Sequence, residues 1–345
     1  MPVQYEPFNT SQDVTTTKTL LHEVIPITGS IVSGTYGTFP NDDNIKNYPH
    51  GMFQSVYDYP YLSSSANHIF DLTVGYDETS GLSGSASIQN TKKINLYNQY
   101  AQVLLGYTGS TTDGIRKFEN DLTNDGTGAM KEVFFMNFSR LITKDQVKKG
   151  SFSLSLGTSS TFADPFAHRI VLQDALANER TGYKGEQGGD YGLLFTNSSG
   201  TGTAVGNIFY QAGIAVVTAS VFDQGLIDVG GDKIQAILTG SSISGACDGI
   251  RHRMFNLSFN NTTEINSKIY FCRVPHNKFN YSANPTYVSG AEVRVKDVAS
   301  DNPISYITTI GLYSSTGELL ATAKLSEPLR KDPTNELTLR VRLDY

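Results

Sequence analysis

The chain ends ELTLRVRLDY, with an apolar residue at every second position from Leu337 to Leu343. Successive side chains of a β-strand point to opposite faces, so this alternation specifies a strand with one buried and one solvated side. Just upstream, TIGLYSSTGELLATAKLSEPL at residues 309–329 sets two apolar runs around a polar turn. Strands at Tyr306–Tyr313 and Glu318–Lys324 are expected, with Gly317 supplying the tight reversal at Ser314–Gly317. With the terminal strand, the end of the chain reads as an antiparallel meander.

The same pattern recurs earlier. A strand is expected to begin near His68, another at Val133–Phe138, and another where Phe152, Leu154 and Leu156 alternate with serine. The last two, joined by a short polar helical turn at Thr143–Lys149, suggest an antiparallel unit. YGLLF reads as one strand, and NIFYQAGIAVVTASVF as strand–turn–strand around Gly213. Met254–Phe259 and Ile269–Val274 read as paired strands, with Asn260–Asn266 as their polar link. One helix stands out at 91–106, where Ile94, Tyr97, Ala101, Leu104 and Leu105 share a face, Thr91 caps and Gly106 ends. A second, short helix is suggested within residues 164–185. The expected class is mainly β, with antiparallel sheets or sandwich-like domains and a few short helices. The expected organisation is an N-terminal arm at 1–20, a β-rich domain at 21–160 holding the helix, and a β-rich domain at 161–345 ending in the meander.

Composition agrees. Charged residues make up 17%, against roughly 25% in an average globular chain, while glycine occurs 32 times, tyrosine 19 and phenylalanine 18. Such a blend favours strands, turns and ordered loops. The net charge of −6, without a Lys/Arg-rich block, argues against a nucleic-acid surface. No stretch approaches the roughly 20 apolar residues of a membrane span. Nothing at the N-terminus reads as a secretion signal, so synthesis in a cytosol is expected, and the sequons at Asn197, Asn256 and Asn261 read as by-products of an Asn/Thr/Ser-rich chain.

The chemistry-bearing residues form no recognisable catalytic set. The six histidines (His22, His50, His68, His168, His252 and His276) make no His-Glu-x-x-His pattern. Cys247 and Cys272 lie near His252 and His276, but neither sits in a close Cys-x-x-Cys pair. Both are expected to be reduced and free of metal. SSISGACDG and GLSGSAS do not form a nucleophile elbow. The glycine-rich stretches near Gly188 and Gly200 lack the Lys-Ser/Thr of a phosphate loop. The adjacent Asp42 and Asp43 read as solvated. No enzyme activity, cofactor or metal is expected.

Tyrosine suits interfaces, because its ring buries area while its hydroxyl finds a partner. Tyr57, Tyr59 and Tyr61 cluster in one proline-stiffened stretch, and Phe271, Phe279 and Tyr281 in another. Interface and core are both open to them. Leu339 and Val341 of the terminal strand would face the core or a partner.

Residues 270–345, above all Ile-Gly-Leu-Tyr at 310–313 followed by Glu-Leu-Leu-Ala-x-Ala-Lys-Leu at 318–325, resemble the C-terminal part of structural proteins of contractile-tailed bacteriophages. Residues 17–157, from TKTLLHEVIPITGS to FSRLITKDQVKKGSFSLSLG, are similar to virion proteins of marine myophages. The resemblance implies a noncatalytic tail protein, made in the host cytoplasm and built into the virion, near the baseplate, where it holds neighbouring subunits in register. Its partners would be other tail or baseplate proteins, in a homo- or hetero-oligomer, with no direct nucleic acid. A receptor- or carbohydrate-binding tail module and a neck or connector protein are the alternatives.

Overall fold

The computed structural model describes residues 5–28, 43–83, 87–108, 114–159, 164–222, 242–282, 288–289, 292–293, 298, 300 and 302–345. The protein is mainly β, with 45% strand, antiparallel sheets and three α-helices among the described residues. The chain divides into two compact units: Met1–Leu20 with Glu264–Tyr345, and Leu21–Thr263. The strand β1 (Val14–Thr28) begins in the first and continues into the second.

The larger unit is built on an eight-stranded sheet. Its strands are β2 (Ile45–Asn47), β3 (Gln54–Tyr57), β4 (His68–Tyr76), β5 (Glu132–Phe138), β9 (Tyr183–Glu186), β10 (Gly189–Leu194), β11 (Gly206–Phe209) and β12 (Ile214–Thr218), in the order β2-β3-β4-β5-β12-β11-β10-β9. Three further strands of this unit are β6 (Gln146–Val147), β7 (Ser153–Gly157) and β8 (Arg169–Gln173). Period-2 alternation divides the core between the two faces of the large sheet. On β5, Phe134, Met136 and Phe138 join one cluster, with Leu154, Leu156 and Leu257. Val133 and Phe135 join the other, with Tyr97, Ala101 and Leu104.

Those last three residues belong to α1 (Ile88–Leu104), the helix expected at 91–106. It starts one turn earlier because Ser87 accepts the Asn90 N–H and takes the capping role expected of Thr91. Gly75 of β4 allows its close approach: a Cβ there would lie 2.9 Å from the Lys93 carbonyl oxygen. The short helical turn expected at Thr143–Lys149 lies earlier, as α2 (Arg140–Thr143), and the expected range holds the strand β6 instead. The third helix, α3 (Ile243–His252), is capped by Ser242 and docks on β4, with the Cys247 thiol donating to the Leu72 carbonyl at 3.2 Å.

Several pairings differ from the expectation. Residues 254–274 form one continuous 21-residue strand, β13 (Met254–Val274). The polar stretch 260–266 does not interrupt it, because its polar side chains find partners: Asn261 accepts the Glu23 N–H and donates to the Ile142 carbonyl, and Glu264 pairs with Lys18. β5 and β7 do not pair. β5 lies between β4 and β12, and β7 between β8 and β13. The segment expected to hold a helix within 164–185 contains β8 instead. Strand pairing also crosses residue 160, since β5 bonds with β12 from Val133↔Thr218 to Asn137↔Ile214. The expected boundary there does not coincide with the division into units.

In the smaller unit the second half of β13 pairs with the last strand. The described hairpins are β14 (Val288–Ser289) with β15 (Glu292–Val293), and β16 (Ser305–Tyr313) with β17 (Leu319–Lys331). β18 (Leu337–Asp344) leaves the hairpin and pairs antiparallel with β13, from Ser267↔Asp344 to Val274↔Leu337. A three-stranded meander is therefore replaced by a hairpin and a separate strand. The alternation in β18 is as read: Leu337, Leu339, Val341 and Leu343 are half-buried or buried, and Thr338, Arg340, Arg342 and Asp344 are exposed.

Candidate functional site

Residues 5–13 of the expected loose N-terminal arm are fastened within the smaller unit. Asp13 accepts the Asn9 N–H at 2.9 Å and closes a turn. The same carboxylate accepts from Arg273 Nε at 2.6 Å, and Asp13 O accepts the Phe271 N–H. The bond from the Asn9 backbone, reinforced by Arg273, holds the Asp13 carboxyl below its usual range. Further out, Lys278 Nζ donates to Glu6 at 2.5 Å. Tyr5 meets Tyr313 edge to face, with ring centroids 5.0 Å apart.

Between this segment, residues 271–274 and β16 runs an open groove of about 840 Å³. Phe271, Phe279, Tyr281 and Leu339, four of the eight candidates named from sequence, line it. Tyr5, Phe8, Tyr306 and Tyr313 add four more rings. Cys272 lines it too, as a half-buried free thiol whose burial raises its pKa and keeps it protonated. Val341 does not reach the groove; it is buried opposite Tyr270.

Phe279 is held in place by a built loop. Its backbone has φ +61°, a left-handed conformation that a bulky L-residue rarely adopts. Ser305 donates to the Phe279 carbonyl at 2.6 Å. Lys331, at the end of β17 and fully buried, donates to the His276 carbonyl, to Asn280 Oδ1 at 2.6 Å and to the Asp332 carbonyl. Asn280 in turn donates to the His276 carbonyl. One ammonium thus ties both ends of the 276–280 turn to the base of the hairpin, and the strain at Phe279 is maintained by those bonds.

The remaining candidates, Tyr57, Tyr59 and Tyr61, lie in the larger unit. Tyr57 ends β3 and is half-buried, with the His68 and Tyr61 rings 5.5 and 6.4 Å away. Tyr59 is 59% exposed. Nearby, Ser55 donates to Asp71, and His68 Nε2 lies 2.8 Å from the same carboxylate oxygen. These are the residue types of a hydrolase triad in an unsuitable order: the carboxylate, not the imidazole, stands between the other two, so no base activates the serine. The buried cluster on α3, where Asp248 accepts from Arg251 at 2.9 Å and from Gln54 at 2.7 Å, packs helix against sheet. Among the described residues no three His, Cys, Asp or Glu side chains gather as a metal site. Asp42 and residues 84–86 of GLSGSAS lie outside the described residues.

The aromatic contribution of Tyr5 and Phe8 was hidden because the first residues are polar and threonine-rich. Lys331 was hidden because a lysine beside Asp-Pro reads as a turn. Phe279 carried a signal in its sequence neighbours, Asn277 and Asn280, which favour turns. No protein-family model matches the chain, and no curated protein or solved structure matches it either.

Proposed function

We propose that this protein is a noncatalytic structural component of a phage tail, placed near the baseplate, that holds neighbouring subunits in register. The observation that supports an assembly role is the β16–β17 hairpin. Among the described residues it is a two-stranded sheet, and it exposes Tyr306, Tyr313, Leu319 and Leu320, the last at 67%. The hairpin is tied to its unit at Ser305, Lys331 and Tyr313, and the large apolar side chains it still exposes mark an interaction surface. The sequence resemblance, which centres on this same hairpin, directs the assembly role to a tail. Light scattering on the purified chain, alone and with co-expressed tail proteins, tests it, together with immunogold labelling of intact particles. A mass fixed at 37.6 kDa under every condition, and no label on tails, would refute it.

A second reading, a receptor- or carbohydrate-binding module, is favoured by the aromatic lining of the groove. Binding of the isolated chain on a glycan array, lost in Tyr281→Ala, is its expected signature.

A further inference from the structure

Every residue of β16 from Ser305 to Tyr313 borders the groove, and no residue of β17 does. A cavity over a face of the hairpin would touch both strands and only alternate residues of each. This one therefore follows the edge of β16 that β17 does not use. Among the described residues β17 is the one strand paired with β16.

An open edge presents a row of backbone donors and acceptors, and proteins blunt such edges with charges, proline or bulges. β17 is protected in this way: it carries Lys324, Glu327, Pro328 and Arg330, and its ladder breaks between Ile307↔Leu329 and Thr309↔Lys324. β16, SYITTIGLY, has no charge and no proline. It is rich in the β-branched and aromatic residues that favour strand pairing. Its nine residues offer an edge of about 30 Å, at ~3.3 Å per residue.

We infer that the groove is the docking site for an extended, uncharged segment of another polypeptide, which adds to β16 as a third strand. Charge decides the chemistry of the occupant. The charged groups on the far bank neutralise one another, Asp13 with Arg273 and Glu6 with Lys278, and β16 contributes none. Shape decides its form. Residues 271–274 and the segment at 5–8 line the groove together with β16, and Phe279, whose carbonyl accepts from Ser305, stands at the start of that strand; a trough walled in this way suits a lone strand. A lone strand is therefore the occupant, and a second copy is the competing outcome of the test. The rings of Tyr281 and Tyr313 supply apolar contacts for alternate side chains of the incoming strand. The inference deepens the assembly reading by naming the contact, but the test needs no particle.

The full-length chain is used to select from a display library of random nine-residue peptides. The enriched peptides are expected to be uncharged and to alternate apolar with polar residues. When bound, they should slow hydrogen exchange at every second amide of β16. N-methylating the peptide along one edge should weaken binding at least tenfold, while methylation of the other edge leaves it unchanged. Because that change is in the peptide, folding of the chain is not at issue. No enrichment, protection that avoids β16, or indifference to the methylated edge overturns the proposal. Concentration-dependent protection of β16 in the chain alone would also overturn it, by giving the edge to a second copy. Absence of the protein from tails would sink the tail reading and leave these outcomes untouched.

Discussion

Single residues hold the groove's geometry, and Lys331 does most of it. Its ammonium is buried with three acceptors, so Lys331→Met keeps the chain length and leaves those acceptors without a donor. An expected loss of about 3 kcal/mol follows from removing one side of a buried charged network; urea unfolding measures it. Asp174 gives a second test, in the larger unit. It is buried and accepts from the Gly150 and Phe152 N–H groups and the Tyr210 hydroxyl. Burial outweighs those bonds and pushes its pKa up to about 6, from 3.8. The folded state thus binds the proton more tightly than the unfolded state. The corresponding stabilisation is complete below about pH 4 and is lost as pH rises through about 6. Asp174→Asn should flatten the fall in unfolding free energy across that window, and a slope identical to wild type would refute the assignment. Neither role was legible in the sequence, because a lysine and an aspartate in polar stretches read as solvated until the fold encloses them.

Elements were more legible than their partners. Alternation identified β5, β7 and β18 because a half-buried strand must place every second residue inward. It does not say which edge receives a strand, and so chain order alone places β18 beside the hairpin although it pairs with β13. Removing residues 337–345 tests the consequence. The edge of β13 from Ser267 to Val274 would lose its partner, and Cys272 and Tyr270 would lose Leu339 and Val341 opposite. The truncated chain is expected to aggregate or to lose strand signal in circular dichroism. Normal solubility and an unchanged melting temperature would show that the strand is dispensable. The polar stretch Asn260–Asn266 reads as a break in the 21-residue β13 for the converse reason: polar side chains that find partners within a sheet are indistinguishable in sequence from a loop.

For the whole molecule, the question is whether exposed rings serve assembly or the fold. Tyr59 is exposed in the larger unit, and Phe279 is fixed in the groove of the smaller one. Tyr59→Ala should leave the melting temperature within about 1 °C, since surface substitutions usually stay within ±0.5 kcal/mol, and should still reduce incorporation into particles. Phe279→Ala should lower both. Normal incorporation of both variants would remove these rings from the interface. The candidate site was half legible: composition singled out the aromatic clusters, but residues 5–13 and 305–313 meet there only through folding. The same arrangement has a temporal consequence. The larger unit, 21–263, is inserted between two pieces of the smaller one. On the ribosome the inserted unit has all of its residues first, while the segment before it waits for residues 264–345. A chain stalled near residue 300 should therefore hold a protease-resistant larger unit and an unfinished groove, so that the docking edge is made only after the larger unit has folded.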